Sequence, residues 1–246
     1  MKKQTTSQQL YDNLAPFYGE YCLKRDKYLM AVETLIVRNI EGGDTMMDIG
    51  SGDGKRAERI ARKLKVKKLL LTDNSRQMVK KLNNIKSKIV SVKHADITKK
   101  DFSGVKFKPK MITCLFNVLG HIETVREREQ ALKNIRSLVD KKGVIFMDVN
   151  NRYNAENYGY VNVLINIFKD LWYPSERNGN FKFTIKVKEK RIPAAVHLFN
   201  PLEIERLFKS CGLKIIKKFY INYRTGELES TFLSGQILYK LSSRYD

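Results

Sequence analysis

Only three cysteines, Cys22, Cys114 and Cys211, occur in 246 residues. They are odd in number, far apart and in no C-x-x-C arrangement, which argues against a disulfide framework and against a zinc site. They read as reduced, mostly buried thiols, and no metal site is expected. Long apolar runs are missing too. Val161 to Phe168, the longest candidate, is broken by two asparagines and falls short of the roughly 18 residues that span a bilayer. Met1-Lys2-Lys3 leads into Gln, Thr and Ser rather than an apolar stretch, so no secretory signal is expected. A cytoplasmic address without membrane insertion follows as the expectation. Internal repeats and low-complexity linkers are absent as well.

Acidic residues are scarce: 26 against 47 basic, for a net charge of +21, a field strong enough to draw polyanions. The excess is concentrated in residues 55–110, where 15 Lys and 4 Arg face Glu58, Asp73, Asp96 and Asp101, a local +15. One reading is an RNA-facing surface. The other is a solvated lysine-rich surface, because Lys outnumbers Arg by 32 to 15 and phosphate-specific forks favour Arg. The apolar and charged fractions, 42% and 30%, are those of an ordinary globular protein. A chain of this length can bury roughly three quarters of its unfolded surface.

From Thr45 short apolar runs alternate with helical patterns, as in stacked βαβ units on a parallel sheet. The runs are Thr45–Ile49, Lys68–Thr72, Ile89–Lys93, Met111–Phe116 and Val144–Val149. Thr124 and Glu127 form a capping box for a helix with Val125, Leu132, Ile135 and Leu138 on one face. Asn200-Pro201 with Glu203 opens another, which ends at Gly212. Leu213–Tyr223 and Phe232–Lys240, joined through Thr225-Gly226, suit an antiparallel C-terminal hairpin at the sheet edge. Residues 7–40 read as helices, one of them carrying Leu29, Val32, Ile36 and Ile40 and stopping at Gly42-Gly43. The predicted fold is α/β, a seven-stranded mostly parallel sheet with helices on both faces. A single domain is expected: an N-terminal helical cap (1–43), a core (44–150), an irregular lid or substrate insert (151–199) too long for a plain connection, and a C-terminal helix and hairpin (200–246).

Met46-Met47-Asp48-Ile49-Gly50-Ser51-Gly52-Asp53-Gly54 runs from a strand into a glycine-rich turn. Glycines at alternate positions let the chain bend sharply and let a ligand touch the backbone. A dinucleotide fingerprint needs G-x-G-x-x-G, so that a helix N-terminus meets a pyrophosphate. Here the third glycine comes one residue early, Lys55 stands where that pattern wants glycine, and Asp48 would face a pyrophosphate unfavourably. An aminoacyl sulfonium has no such phosphates, and its ammonium group would welcome a carboxylate.

The D-x-G-x-G-x-G of Asp48 to Gly54 resembles motif I of the class I, Rossmann-like S-adenosylmethionine-dependent methyltransferases. The resemblance covers residues 45–150 well and the flanks in outline. It implies S-adenosylmethionine as cofactor and S-adenosylhomocysteine as product. It also implies a ribose-holding acid at Asp73, which closes Leu69-Leu70-Leu71-Thr72-Asp73 and is followed by Asn74. Met78 is expected to pack on the adenine ring, and Asp96, beside Ile97, to read the adenine amino group. Leu115-Phe116-Asn117-Val118-Leu119-Gly120-His121 resembles the fourth motif, which lines the methyl group and the acceptor. The implied cofactor-binding set is therefore Asp48, Gly50, Ser51, Gly52, Gly54, Asp73, Asn74, Met78, Asp96, Ile97, Asn117 and Leu119, with Tyr18 from the cap.

Methyl transfer from a sulfonium is a direct displacement, here expected at N or O, and a base is required only if the acceptor carries a proton at working pH. The candidates are His121, just after the fourth strand, and His197, on the return from the insert. Tyr153, Tyr158, Tyr160, Trp172 and Tyr173 of the insert, with Tyr11, Tyr18 and Tyr21 of the cap, are either acceptor-pocket groups or an aromatic core beneath a lid. Residues Ser7 to Ala15 with Tyr18 resemble the opening of small-molecule and quinone methyltransferases. A small-molecule acceptor is the favoured expectation. RNA, such as tRNA, is the alternative; a non-catalytic cofactor-binding regulator is the third. The oligomeric state is not fixed by any of these features.

Overall fold

The computed structural model describes residues 6–99, 101–102, 104–105 and 107–243; Met1-Lys2-Lys3 lies outside them. Three helices come first: α1 (Ser7–Leu14), α2 (Tyr18–Leu23) and α3 (Asp26–Arg38). Thr6 and Gln9 exchange side-chain and backbone bonds to open α1. The alternating core follows as β1 (Thr45–Ile49), α4 (Lys55–Lys63), β2 (Lys68–Asp73), α5 (Arg76–Leu82), β3 (Val90–His94), β4 (Met111–Cys114), α6 (Val125–Leu138) and β5 (Val144–Val149). Thr124 and Glu127 cap α6 reciprocally, as their spacing predicts.

Several boundaries move. The third strand is displaced one residue, to Val90–His94, and α3 stops at Arg38 rather than reaching Ile40. The fourth strand, expected through Phe116, ends at Cys114. Phe116 and Asn117 have φ of 70° and 59°, and a left-handed pair cannot continue an extended ladder.

The segment expected to be irregular is ordered. It contains α7 (Ala155–Tyr158), α8 (Tyr160–Trp172) and a separate two-stranded antiparallel sheet of β6 (Asn180–Val187) and β7 (Lys190–His197). Phe181, Phe183, Ile185 and Val187 alternate with Lys182, Thr184 and Lys186, the period-two pattern of a one-sided strand. The chain closes with α9 (Pro201–Ser210), β8 (Lys214–Ile221), β9 (Leu228–Glu229) and β10 (Gln236–Ser242).

The main sheet has the order β3-β2-β1-β4-β5-β10-β8-β9, with β10 antiparallel between β5 and β8. It has eight strands rather than seven because the two-residue β9 pairs with Tyr220 and Ile221. The last strand starts at Gln236, not Phe232. Side chains of the parallel strands alternate between two cores: Met47, Ile49, Leu70 and Met147 pack with α6 and α9, while Met46, Leu69, Leu71 and Phe146 pack with α3 and α4. A third cluster joins Leu10, Leu14 and Tyr18 to Ile185, Val187, Ile192 and Ala194, so the insert hairpin folds back onto the N-terminal helices. Among the described residues no helix is long and apolar enough to cross a membrane.

Candidate functional site

In an open parallel sheet the ligand crevice lies beyond the strand C-termini, where the chain order reverses. Here that point is β1, which pairs with β2 on one side and β4 on the other. The turn after β1 is pinned to β2. The Gly50 and Ser51 N–H groups both donate to the Thr72 carbonyl at 2.9 Å, and Ser51 Oγ donates to the Asp48 carbonyl at 3.0 Å while accepting from Thr72 N at 3.1 Å. Gly50 and Gly52 sit at φ of 69° and 59°. A Cβ at Gly50 would lie 2.5 Å from Val118 Cγ2, and one at Gly52 would lie 2.6 Å from the Tyr18 ring.

Asp73 ends β2 and is 6% exposed. Its Oδ2 accepts from Gly52 N and its Oδ1 from Ser75 N, each at 2.9 Å. Burial pushes its carboxyl up to about 6, against the lowering effect of those backbone bonds. Ser75 caps α5 by accepting from Met78 N, and donates to Asp12 of α1 at 2.7 Å, which ties the cap to the core. After β3, Asp96 accepts from the Thr98 N–H at 2.9 Å and hydroxyl at 2.7 Å.

These groups enclose a cavity of about 390 Å³. Gly50 and Gly52 form its floor, Asp73, Asn74, Asp96 and Ile97 one wall, Phe116, Val118 and His121 the opposite wall, and Ser7, Tyr11 and Tyr18 the roof. Glu123, Glu127 and Lys99 stand at its margin.

Several predicted site residues lie behind this lining. Asp48 is buried beneath the turn and accepts from the Thr113 hydroxyl; burial raises its carboxyl and the neighbouring Arg56 opposes that rise. Ser51 acts on the turn itself, and Gly54 lies against Leu82 and Ile85. Met78, expected to meet an adenine ring, is fully buried in the cluster with Leu10, Leu14 and Tyr18 and is not among the residues that line the cavity. Leu119 belongs to the main core. Asn117 accepts from Asn150 N through Oδ1 at 3.0 Å, while its Nδ2 is buried without a hydrogen-bond partner among the described residues.

Asp148, which the sequence did not single out, organises the wall opposite Asp73. Its carboxylate accepts from the N–H groups of Phe116 and Asn117 and from Tyr28 Oη, the last at 2.6 Å. Two consecutive left-handed non-glycine residues are costly, and this carboxylate offsets the cost by satisfying both amides. The one signal was a lone charge inside the apolar run Val144–Val149.

The two histidines separate. His121 lies between the cavity and a 90 Å³ annex, its ring edge-on to Tyr11 at 5.2 Å. Burial pulls it down to about 4, so it is neutral near pH 7, and its Nδ1 is buried with no hydrogen-bond partner among the described residues. His197 lines only the annex and is 1% exposed, with Nδ1 3.0 Å from Asn180 Oδ1 and Nε2 2.6 Å from Glu203 Oε1. Glu203 also receives Arg152, which bonds Asp170 at 2.7 Å, so His197 sits in a polar knot that ties β7 and α8 to α9. Of the aromatics, Tyr11 and Tyr18 line the cavity and Tyr21 packs at a tilt against Phe116, ring centroids 5.8 Å apart. Tyr153 donates to Asp170, and Tyr160, Trp172 and Tyr173 face outward.

Residues 47–145 match a family model described as a methyltransferase domain. Solved structures of the same fold include an S-adenosylmethionine-dependent methyltransferase from Clostridium acetobutylicum, 18% identical over 94% of this chain and 98% of that one, with a TM-score of 0.64. A methyltransferase in complex with the Haloferax volcanii Trm112 activator is 13% identical over 98% and 99%, with a TM-score of 0.67. An amino pentose methyltransferase from Micromonospora echinaspora with S-adenosylmethionine bound is 13% identical over 90% and 92%, with a TM-score of 0.57. A search of curated proteins gave no match. Residues 47–145 thus resemble a methyltransferase domain, and the chain has the class I, Rossmann-like fold that these solved structures share.

Proposed function

We propose that the chain binds S-adenosylmethionine in the 390 Å³ cavity and methylates a small molecule at N or O. The observation that carries this reading is the convergence of Gly50, Gly52, Asp73 and Asp96 on one cavity at the reversal point of the sheet. Three features fit the cofactor. The cradle at Gly50 and Gly52 is one that a Cβ would fill. Asp73 holds one backbone N–H on each oxygen, leaving further lone pairs for a ribose diol. Asp96 offers an acceptor for an amino group across the cavity.

The bound donor supplies an electrophilic methyl group on a cationic sulfur. The chain's own task is then alignment and exclusion of water. Tyr11 and Tyr18 close the roof; the backbone amides of Phe116 and Asn117 are held by Asp148. His121, neutral and with an unpartnered Nδ1, is the group placed to take a proton from an acceptor hydroxyl or ammonium. His197, with both ring nitrogens engaged, serves as a positioning residue for the annex.

An RNA acceptor is the second reading, supported by a cleft of about 470 Å³ lined by Lys55, Arg59, Arg62 and Lys65. That cleft shares no lining residue with the main cavity. Calorimetry with S-adenosylmethionine and S-adenosylhomocysteine tests the binding step, and absence of heat from both overturns it. Incubation with methyl-labelled donor and separated RNA, protein and small-molecule fractions identifies the acceptor class. Label in RNA favours the second reading, and label nowhere leaves a non-catalytic binder. His121→Ala should lower turnover while donor affinity holds; unchanged turnover removes His121 from the mechanism.

A further inference from the structure

Of its apolar residues α8 buries only Val163 fully and Ile167 in part, yet it is built largely of apolar residues. Tyr160, Val161, Leu164, Ile165, Phe168 and Trp172 are 45–72% exposed. At 100° per residue these positions, with Leu171 (64% exposed), fall on one continuous arc. Val163, Ile167 and Asp170 face the protein, and Asn162, Asn166 and Lys169 form the remaining strip. The outward face of the helix is therefore the apolar one, the reverse of a surface helix packed on a core. No residue of α8 lines the main cavity or its annex, so this face is not the inner wall of an acceptor pocket.

Charge decides what covers it. Between residues 160 and 191 seven cations are exposed, five of them on the hairpin at Lys182, Lys186, Lys188, Lys190 and Arg191, against the exposed acids Glu176 and Glu189. The whole chain is at +21. Two such chains repel one another, whereas an anionic surface is attracted to the cations that the same insert exposes. Trp, Tyr and Phe beside Leu and Ile, on a face without charge, is the composition of a helix lying at the boundary between headgroups and acyl chains. We propose that α8 seats this protein peripherally on an anionic lipid bilayer, without spanning it.

Trp172 is the sole tryptophan and lies on the proposed contact face, so it reports on the contact directly. The full chain is mixed with phosphatidylcholine vesicles, with and without phosphatidylglycerol, and followed by Trp172 emission and co-sedimentation. The expected result is a blue shift and sedimentation with the anionic vesicles only, weakening as salt is added. Leu164→Glu and Leu171→Glu should each lower vesicle affinity by roughly tenfold, the effect of losing one buried leucine. Both residues are exposed, so donor binding and thermal melting should match the parent. Failure to bind anionic vesicles overturns the proposal, as does equal binding to neutral ones or equal binding by parent and variants. A dimer that Leu164→Glu converts to monomer also overturns it, by assigning the face to a second copy.

Discussion

The cavity floor and the insert use polar groups in opposite ways. Around Gly50, Ser51, Thr72 and Asp73 the bonds run between backbone and short side chains of adjacent strands, and each is repeated by a neighbour. The polar ties of the insert run instead through a few long side chains: Arg152, Asp170, His197 and Glu203 meet in one knot, outside which α8 is largely exposed. A floor held by redundant backbone bonds keeps its shape with or without a ligand. An insert tied by this knot and by the packing of its hairpin on α1 and α2, and not by bonds to the glycine turn, is free to differ in shape and surface without disturbing that floor.

The sharpest way to break this contrast is Arg152→Met. Arg152 and Asp170 have side chains only 4% and 9% exposed, so the substitution leaves the buried Asp170 carboxylate without a counter-charge, at about 3–5 kcal/mol. Chemical denaturation should show that loss, while calorimetry on the folded variant shows unchanged donor affinity. A donor affinity that falls in step with stability would mean that the floor depends on the insert. The converse test is Asp73→Ala, which removes a charged acceptor facing the cavity. It should weaken donor binding by about a hundredfold, equivalent to two hydrogen bonds to a charged group. Binding within a few-fold of the parent would remove Asp73 from the cofactor site.

The pH dependence sharpens the comparison further, because Asp73 and His121, on facing walls, are shifted in opposite directions. Burial holds folded Asp73 near 6, above its ordinary 3.8, so between about pH 4 and 6 the folded chain keeps a proton that the unfolded chain releases. Its contribution to stability falls as pH rises through that window. Folded His121 is held near 4, below its ordinary 6.5, so the unfolded chain takes up a proton that the folded one refuses. That contribution falls as pH drops. Relative to the parent, Asp73→Asn should gain stability from about pH 4 to 6, and His121→Gln should gain it in the reverse direction, each by up to roughly 3 kcal/mol. Urea unfolding across this range measures both, and slopes of the same sign refute the assignment. A bound diol favours the ionised carboxylate, so donor affinity should also fall below about pH 6 in the parent but not in Asp73→Asn.

What the sequence disclosed follows from how far apart the cooperating residues are. β1, β2 and β5 were legible because both faces of a parallel sheet are buried, which leaves unbroken runs such as Leu69-Leu70-Leu71. The capping boxes at Thr124 and Asn200 were legible because each is complete within four residues. The glycine turn was legible in its own nine residues, whereas Asp73, whose bond to Gly52 N spans 21 residues, was named through the family resemblance. Asp148 was not, because the amides that it satisfies are 31 and 32 residues away. Met78 has the right spacing from Asp73 to face a ligand, yet packing with α1 determines where it goes. The hairpin did leave a trace in the alternation from Phe181 to Val187, but Pro193, Ala194 and Ala195 blur its partner strand.

The smallest expected effect tests the seam between cap and core. Asp12 on α1 accepts from Ser75 Oγ at 2.7 Å and Gln77 N at 3.1 Å, so one carboxylate holds the roof of the cavity to the start of α5. Ser75 is fully buried, and the bond to Gln77 is exposed. Asp12→Ala should therefore cost only about 1 kcal/mol of global stability, the usual effect of losing such a bond. Its effect on the donor should come through Tyr11 and Tyr18, which line the cavity from α1 and α2 without contacting Asp73 by hydrogen bond. A loosened roof admits water and lowers affinity a few-fold, with a faster dissociation rate and an unchanged association rate, separable by stopped-flow measurement. If affinity stays at the parent's value, the N-terminal helices are packing elements alone and the floor binds the donor without them.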